Sequence, residues 1–448
     1  MLSRFRQPRS RGRHLHVLGL ACALVALLAS PATALTVEEI VSEKGIKAWL
    51  VEEHSVPLIA IKFAFVGGAA QDQPGKEGLA DMMSDLLTEG AGDLPAAAFK
   101  ERFLQLGARL SAASGRDAIY GGLETLTARF GPSAELLRMI LIAPRFDPEA
   151  VEQVRAQRLT DLALAAQVPT TVALERWYAE AFSGHVYARP VSGTPESVAR
   201  LTRDDLKAQH ARLFAKDVLR IVIVGDIDKR AAAAAIDSVF GSLPDKAQVA
   251  PVTKVEPRSL PAPVIVTADQ PLATATFGLP SIPTDHPDFP ALQVLNHIIG
   301  SGDFDSRLME EVRVKRGLAY SIQTGLLNDS ISSLMLGGFA TKNENMGAAL
   351  TVVRDVLASM ARDGPAQAQF ANAKRYLMGS FLLDFDTNAK VANSLLGIWL
   401  RGDSPDYLLA RNRKINLVAL KDVKRVAEQV LKADRLIVTI VGKPKLSE

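Results

Sequence analysis

Hydrophobic residues recur at helical spacing around residue 80 of the chain. Leu79, Met82, Met83, Leu86 and Leu87 follow one another at i, i+3, i+4, i+7 and i+8. This spacing puts the five side chains on one stripe, so it predicts a helix with one buried face. The opposite face of such a helix carries whatever polar chemistry the segment has.

Alternation of apolar and small or polar residues predicts strands on both sides of this helix. Residues 59–65 alternate with a period of two, which is typical of a strand with one buried face. Two more strands and two helices are predicted further along, over residues 107–114, 119–125, 146–166 and 170–182. Groups of strands and groups of helices in one segment favour an α+β fold.

The chain shows signs of an internal duplication. Residues 206–215 read as a helix followed by a strand at 219–226, and residues 420–431 and 435–442 repeat this order. A Pro-rich segment at 251–263 is the best linker between the two regions. We therefore predict two homologous halves, 35–250 and 264–448, each with a mostly antiparallel sheet covered by helices.

The N-terminus has the pattern of a secretory signal. Five arginines precede an apolar run at 17–29, and small residues follow at Ala32 and Ala34. This arrangement predicts a signal peptide over residues 1–34 with cleavage after Ala34. A retained membrane anchor is the alternative, although the run is short for a spanning helix. We expect an exported protein, most simply a periplasmic one, without an anchor after cleavage.

Removing residues 1–34 changes the charge and the cysteine content. Those residues hold five Arg and no Asp or Glu, so 47 basic residues face 49 acidic ones in the mature chain. The apparent basicity therefore gives no reason to expect nucleic-acid binding. The one cysteine, Cys22, also lies in this segment. The mature chain thus offers no disulfide, thiol nucleophile or cysteine metal ligand.

Six short segments carry a recognisable pattern: residues 66–68, 78–80, 183–193, 223–226, 306–308 and 313–320. In these segments the chain resembles the pitrilysin/insulinase zinc peptidases, especially the mitochondrial processing peptidase branch. In that family the helix near residue 80 carries His-x-x-Glu-His, in which the histidines hold zinc and the glutamate acts as general base. Here the corresponding positions are Asp81, Ser84 and Asp85, and the family's distal glutamate falls on Asp161.

The resemblance therefore implies a member of the family that binds no zinc itself. No imidazole remains among these positions, and a serine cannot replace the glutamate base. Three interpretations of the three aspartates stay open: solvated surface carboxylates, a site for a hard cation such as calcium or magnesium, or a residual zinc site. The five histidines outside the signal are too far apart in sequence to form a ligand pair.

A second element matches the family in the C-terminal half. Arg313 and Tyr320 have the seven-residue spacing of an Arg and a Tyr that act on the substrate near the zinc of the other half. Arg is a permanent hydrogen-bond donor, and a Tyr hydroxyl can donate to a developing oxyanion. The alternative is that Arg313 is a surface charge of a helix and Tyr320 the first residue of a strand.

The strand predicted over residues 109–114 aligns with the edge strand that holds extended substrates in the family. The resemblance places Ser111, Ala112 and Ala113 along a bound peptide, which would pair with the strand through main-chain hydrogen bonds. An ordinary sheet strand is an equally good interpretation. The loop at 299–304 contains two glycines but is shorter than the family's recognition loop.

These observations predict the non-zinc-binding subunit of a heteromeric exported metallopeptidase. A homologous subunit would bring zinc, and the substrate would be a peptide or an unfolded protein. The alternative is an inactive scaffold or peptide-binding protein of the cell envelope. An autonomous metallopeptidase conflicts with the residues at 81, 84 and 85.

Overall fold

The computed structural model describes residues 36–446, apart from the side chains at positions 382, 384 and 409. The predicted signal peptide lies outside the described residues. The strands of the N-terminal half are β1 (Glu38–Val41), β2 (Lys47–Glu52), β3 (Leu58–Val66), β4 (Gly90–Ala91), β5 (Leu94–Pro95), β6 (Arg109–Ser114), β7 (Ala118–Leu126) and β8 (Leu219–Gly225). Those of the C-terminal half are β9 (Val264–Val266), β10 (Leu272–Pro280), β11 (Ile322–Asn328), β12 (Ser333–Lys342) and β13 (Ile437–Val441).

Helices cover these strands. In the N-terminal half they are α1 (Leu79–Leu86), α2 (Ala96–Leu106), α3 (Phe130–Ile142), α4 (Pro148–Ala165), α5 (Pro169–Ala181), α6 (Pro195–Arg200), α7 (Arg203–Leu213) and α8 (Lys229–Phe240). In the C-terminal half they are α9 (Phe289–Asn296), α10 (Met346–Asp363), α11 (Gln367–Ser380), α12 (Asn388–Leu400), α13 (Tyr407–Leu417) and α14 (Leu420–Val430). The remaining helical segments are short 3-10 or π turns.

The two halves repeat one sheet topology, as the sequence predicts. The first sheet runs β1-β2-β8-β3-β7-β6 and the second β9-β13-β10-β12-β11. In each sheet one parallel pair, β2 with β8 or β9 with β13, accompanies otherwise antiparallel neighbours. Both sheets form their own apolar core with the helices of their half. The α+β prediction with two mostly antiparallel halves is therefore confirmed.

The glycines that end the two matched strands share an unusual backbone conformation. Gly225 has φ of 146° and Gly442 has φ of 142°, values that favour glycine. A Cβ at Gly225 would collide with the carbonyl oxygen of Leu58, and one at Gly442 would meet Ala273. The same steric requirement at both positions supports the duplication.

One helix of each half packs against the sheet of the other half. Helix α5 of the N-terminal half packs on β13 and β10, where Trp177 donates a hydrogen bond to the carbonyl of Ile437 at 3.2 Å. Helix α12 of the C-terminal half packs on β3 and β8, and Trp399 stacks on Trp49 with ring centroids 4.7 Å apart. Each sheet therefore has one face covered by the other half, which the sequence patterns did not indicate.

Residues 241–263 form no helix or strand. This segment includes the whole predicted linker at 251–263. Val252, Val255 and Leu260 in this segment pack against a cluster that contains Trp177 and Tyr187. The exact domain boundaries stay predictions. Within residues 36–446, no helix combines the length and the apolar character needed to cross a membrane.

Candidate functional site

Helix α1 begins on a buried carboxylate. Asp72 accepts the backbone N–H groups of Gly78, Leu79 and Ala80 at 3.0, 3.0 and 3.1 Å, and Nε2 of Gln209 at 3.0 Å. These bonds satisfy N–H groups that have no partner within the helix. Asp72 thereby caps the N-terminus of α1. Burial nevertheless raises the pKa of the Asp72 carboxyl to about 7, and the backbone hydrogen bonds counteract that shift.

Arg158 of α4 bridges the two aspartates on that polar face. Its Nη1 lies 2.7 Å from Oδ2 of Asp81, and its Nε lies 2.5 Å from Oδ2 of Asp85. Asp81 is buried, whereas the Asp85 side chain is 39% exposed. Burial raises the pKa of Asp81, and the positive charge of Arg158 counteracts that shift. The interpretation of solvated surface carboxylates is therefore wrong for Asp81.

Ser84 and Asp161 take no part in this ion pair. The Ser84 hydroxyl is fully buried and donates to the carbonyl oxygen of Ala80 at 2.8 Å, within its own helix. Asp161 lies on α4, as predicted, but is exposed and accepts a hydrogen bond from Nε2 of Gln157 at 2.8 Å. The structure brings Asp81 and Asp85 together with Arg158 instead of with Asp161.

The residues at this place do not fit a zinc ion. A zinc site needs deprotonated ligands, mostly imidazole or thiolate, arranged around a space that the ion can fill. Here a guanidinium occupies the space between two carboxylates, and repulsion would oppose a second cation. Among residues 36–446, no three His, Cys, Asp or Glu side chains form a group that could hold a metal ion.

The predicted peptide-binding strand lies at a sheet edge beside α1. Strand β6 is the outer strand of the first sheet, and α1 packs against it. Ser111 and Ala113 are exposed along it, and Ala112 between them is half-buried. A free edge can pair with an extended chain through main-chain hydrogen bonds. Peptide binding at these three residues stays a prediction.

Glu311 organises the segment that carries the predicted Arg and Tyr. This segment contains a π turn, Met309–Val314. The Glu311 carboxylate lies 3.2 Å from Arg307, 2.8 Å from Lys315 and 2.6 Å from Arg316. Hydrogen bonds from Lys315 and Arg316 lower the pKa of Glu311 to about 2. One carboxylate thus holds three cations of the segment in place.

Arg313 and Tyr320 contact each other at the surface. The guanidinium carbon of Arg313 lies 4.3 Å from the centroid of the Tyr320 ring, which is a cation–π distance. Gly317, with φ of 61°, lets the chain reverse between them. Tyr320 is 80% exposed and precedes strand β11, so it is not the first residue of that strand. Within residues 36–446, no carboxylate lies within 4.0 Å of the Arg313 guanidinium.

Two residues that the sequence patterns do not indicate contact the predicted site residues. Arg158 contacts Asp81 and Asp85, and its only signal in the sequence is its charge, one helical turn before Asp161. Phe304 lies in the glycine-containing loop, and its ring contacts Arg313 with 4.6 Å between guanidinium carbon and centroid.

The fold defines a peptidase-like protein whose helix α1 carries no histidine or glutamate. Two family models match the chain: "Insulinase (Peptidase family M16)" over residues 49–195 and "Peptidase M16 inactive domain" over residues 200–377. The chain belongs to the M16, or insulinase, family. The resemblance inferred from the sequence is confirmed.

The relatives that match nearly the whole chain include one named as a non-peptidase and one named as a peptidase subunit. The chain is 26% identical over 416 residues to "Non-peptidase homolog YmxG" of Helicobacter pylori, covering 92% of this chain and 95% of the relative. It is 25% identical over 427 residues to "Probable mitochondrial-processing peptidase subunit beta" of Schizosaccharomyces pombe, covering 92% of each. A crystal structure described as peptidase M16 inactive domain from Pseudomonas fluorescens superposes with a TM-score of 0.86 at 26% identity, covering 92% of this chain and 100% of that one.

Proposed function

We propose that this chain is the non-zinc-binding subunit of a heteromeric, exported M16 peptidase. The observation that carries the proposal is the Arg313–Tyr320 pair. The Tyr320 ring is 80% exposed and stacks on a guanidinium that has no carboxylate partner within 4.0 Å among the described residues. An exposed aromatic ring beside a cation that has no carboxylate partner can contact a ligand or another protein.

Helix α1, the counterpart of the helix that would hold zinc in a catalytic relative, also supports a complex in which another subunit binds the zinc. Arg158 forms ion pairs with Asp81 and Asp85, and the Ser84 hydroxyl donates to the carbonyl oxygen of Ala80 within its own helix. These residues cannot activate a water molecule. Hydrolysis at a zinc ion therefore requires a second, homologous chain that retains the histidines and the glutamate.

Within such a complex this chain would contribute two hydrogen-bond donors, Arg313 and Tyr320, and part of the wall of the chamber that encloses the peptide. The Tyr320 hydroxyl can donate a hydrogen bond to the oxygen of the scissile carbonyl as negative charge develops there. The Arg313 guanidinium can hold a substrate carbonyl or carboxylate through its N–H groups. The β6 edge at Ser111, Ala112 and Ala113 can hold an extended segment of the same substrate, a peptide or an unfolded protein.

The relatives and the N-terminal pattern give further support. One relative is named a subunit of a processing peptidase and another a non-peptidase homolog. The pattern over residues 1–34 favours export, so we place the complex in the periplasm of a bacterial-type envelope. The partner would be a homologue that carries zinc and is exported by the same route.

An inactive scaffold or peptide-binding protein of the envelope is the second candidate. The free edge of β6 favours it, because strand addition needs neither zinc nor the donors Arg313 and Tyr320. In that role the exposed tyrosine would have no catalytic task.

Purification of the tagged mature chain from its own export compartment tests the proposal. We expect a homologue with an intact His-x-x-Glu-His motif in near-stoichiometric amount, identified by mass spectrometry. Recovery of this chain alone, or with unrelated envelope proteins only, would overturn the heteromeric peptidase and favour the scaffold. As a control, the purification is repeated with Arg362→Ala, altered at an exposed arginine at the end of α10, which should recover the same homologue.

A further inference from the structure

The loop before the Arg313 segment has a strained backbone. Asp303 has φ of 49°, in the left-handed region, although it is not a glycine. Gly302 before it leaves no room for a side chain, because a Cβ there would collide with the carbonyl oxygen of His297. Such conformations persist where surrounding contacts fix them, and they cluster at functional places.

Hydrogen bonds hold the loop in this conformation. The Ser306 hydroxyl donates to the carbonyl oxygen of Asp303 at 2.8 Å, and the Ser306 N–H donates to the same oxygen at 3.1 Å. The Asp305 N–H donates to the carbonyl oxygen of Gly302 at 3.2 Å. Ser306 is fully buried, whereas Asp303 and Asp305 are exposed. The residue between them, Phe304, is thereby aimed in one direction.

Phe304 points at Arg313. Its ring centroid lies 4.6 Å from the guanidinium carbon, while the Tyr320 ring lies 4.3 Å from the same carbon. Phe304 is 56% exposed, so its ring contacts the guanidinium at the surface of the protein. From these contacts we infer that Phe304 is a positioning residue, which together with Tyr320 clamps the guanidinium of Arg313.

The clamp explains how Arg313 keeps one orientation without an ion pair. The neighbouring carboxylates are engaged elsewhere: Glu310 with Arg307 and Lys315, and Glu311 with these and Arg316. Aromatic rings attract a cation without consuming its N–H donors. The donors at the guanidinium edge therefore stay available for a substrate. This consequence for catalysis rests on the proposed function, whereas the clamp itself does not.

The clamp can be measured on the purified chain without any partner. Phenylglyoxal modifies accessible guanidinium groups, and mass spectrometry gives the labelling rate of each arginine. Loss of a surface cation–π contact should raise the rate at Arg313 about two- to fivefold in Phe304→Leu. Phe304→Tyr retains a ring and should restore the wild-type rate. Arg362, exposed at the end of α10, is the internal reference. Equal rates at Arg313 in wild type and Phe304→Leu would overturn the clamp.

Kinetics of the complex with the zinc-bearing partner test the consequence. We expect Phe304→Leu to lower kcat with little change in KM, since the peptide still binds but a donor is misplaced, and Phe304→Tyr to recover it. Faster labelling combined with wild-type kcat would overturn the positioning role. If the wild-type complex hydrolyses no peptide, the proposed function fails, while the labelling result still decides whether the clamp exists.

Discussion

Nη1 of Arg158 lies 2.7 Å from Oδ2 of Asp81, and the same guanidinium reaches Asp85 through Nε. The resemblance to the insulinase-type peptidases implies that these two aspartates stand where a catalytic member has zinc-binding histidines, and here the positive charge beside them is that of an arginine. The polar face of α1 therefore does more than lack zinc ligands, because its two carboxylates have an ion-pair partner of their own in Arg158.

The first prediction concerns the stability that this ion pair supplies. Arg158→Met should reduce the free energy of unfolding by about 3 kcal/mol, because it leaves the buried carboxylate of Asp81 without its partner. Urea unfolding followed by circular dichroism measures the change. The matched control is Arg138→Met on α3, whose partner Glu135 is half exposed. There the loss should stay below about 1 kcal/mol. Equal losses in the two variants would contradict the account.

The second prediction concerns rebuilding the zinc site. The triple variant Asp81→His, Ser84→Glu and Asp85→His restores the family motif but leaves a guanidinium within it. Adding Arg158→Ala should tighten zinc binding at least about tenfold, because it removes a positive charge a few ångströms from the ion. Titration calorimetry with zinc measures both affinities. Equal affinities with and without the fourth substitution would show that Arg158 does not block the site.

Local patterns in the sequence predict part of this fold, but they do not identify the strands and helices between residues 272 and 400. The helix at Leu79–Leu86 and the strands β3, β6 and β7 follow from apolar spacing alone, since burying one face requires that spacing. The repeated Val-Gly ends of β8 and β13 likewise identify the duplication. By contrast, the exchange of α5 and α12 between the halves involves contacts far apart in sequence, which no periodicity records.

The contacts of the candidate site are predictable from the sequence only where the contacting residues are close together along the chain. Arg313 and Tyr320 are seven residues apart, and the structure brings them into contact. The partner of Asp81 lies 77 residues away on another helix, so its identity depends on how α4 packs against α1. Counting residues pointed to Asp161, whereas the packed helices place Arg158 at the aspartates, one turn earlier.

The third prediction concerns pH. The pKa of Glu311 is lowered in the folded chain to about 2, below its ordinary value of 4.5. A lowered carboxyl pKa stabilises the folded state above the unfolded value, and that contribution is lost as pH falls from about 4.5 towards 2. The difference in unfolding free energy between wild type and Glu311→Gln should therefore be largest at pH 6 and shrink as the solution is acidified.

Urea unfolding of both proteins between pH 6 and pH 3.5 provides the measurement. Glu344→Gln, at a carboxylate in the turn before α10, is a suitable control and should show a small difference at every pH. A difference between wild type and Glu311→Gln that stays constant with pH would show that Glu311 does not stabilise the Arg313 segment through its charge.

The most direct test of the central claim is peptide hydrolysis by the complex of this chain, as Tyr320→Phe, with its zinc-bearing partner. The substitution keeps the ring that stacks on Arg313 and removes only the hydroxyl. Tyr376→Phe makes the same chemical change at an exposed tyrosine on α11 and should leave the rate unchanged. We expect Tyr320→Phe to lower kcat by about 10²-fold while the complex still assembles, because one oxyanion donor is lost. A wild-type kcat in an intact Tyr320→Phe complex would contradict the claim that this chain takes part in catalysis.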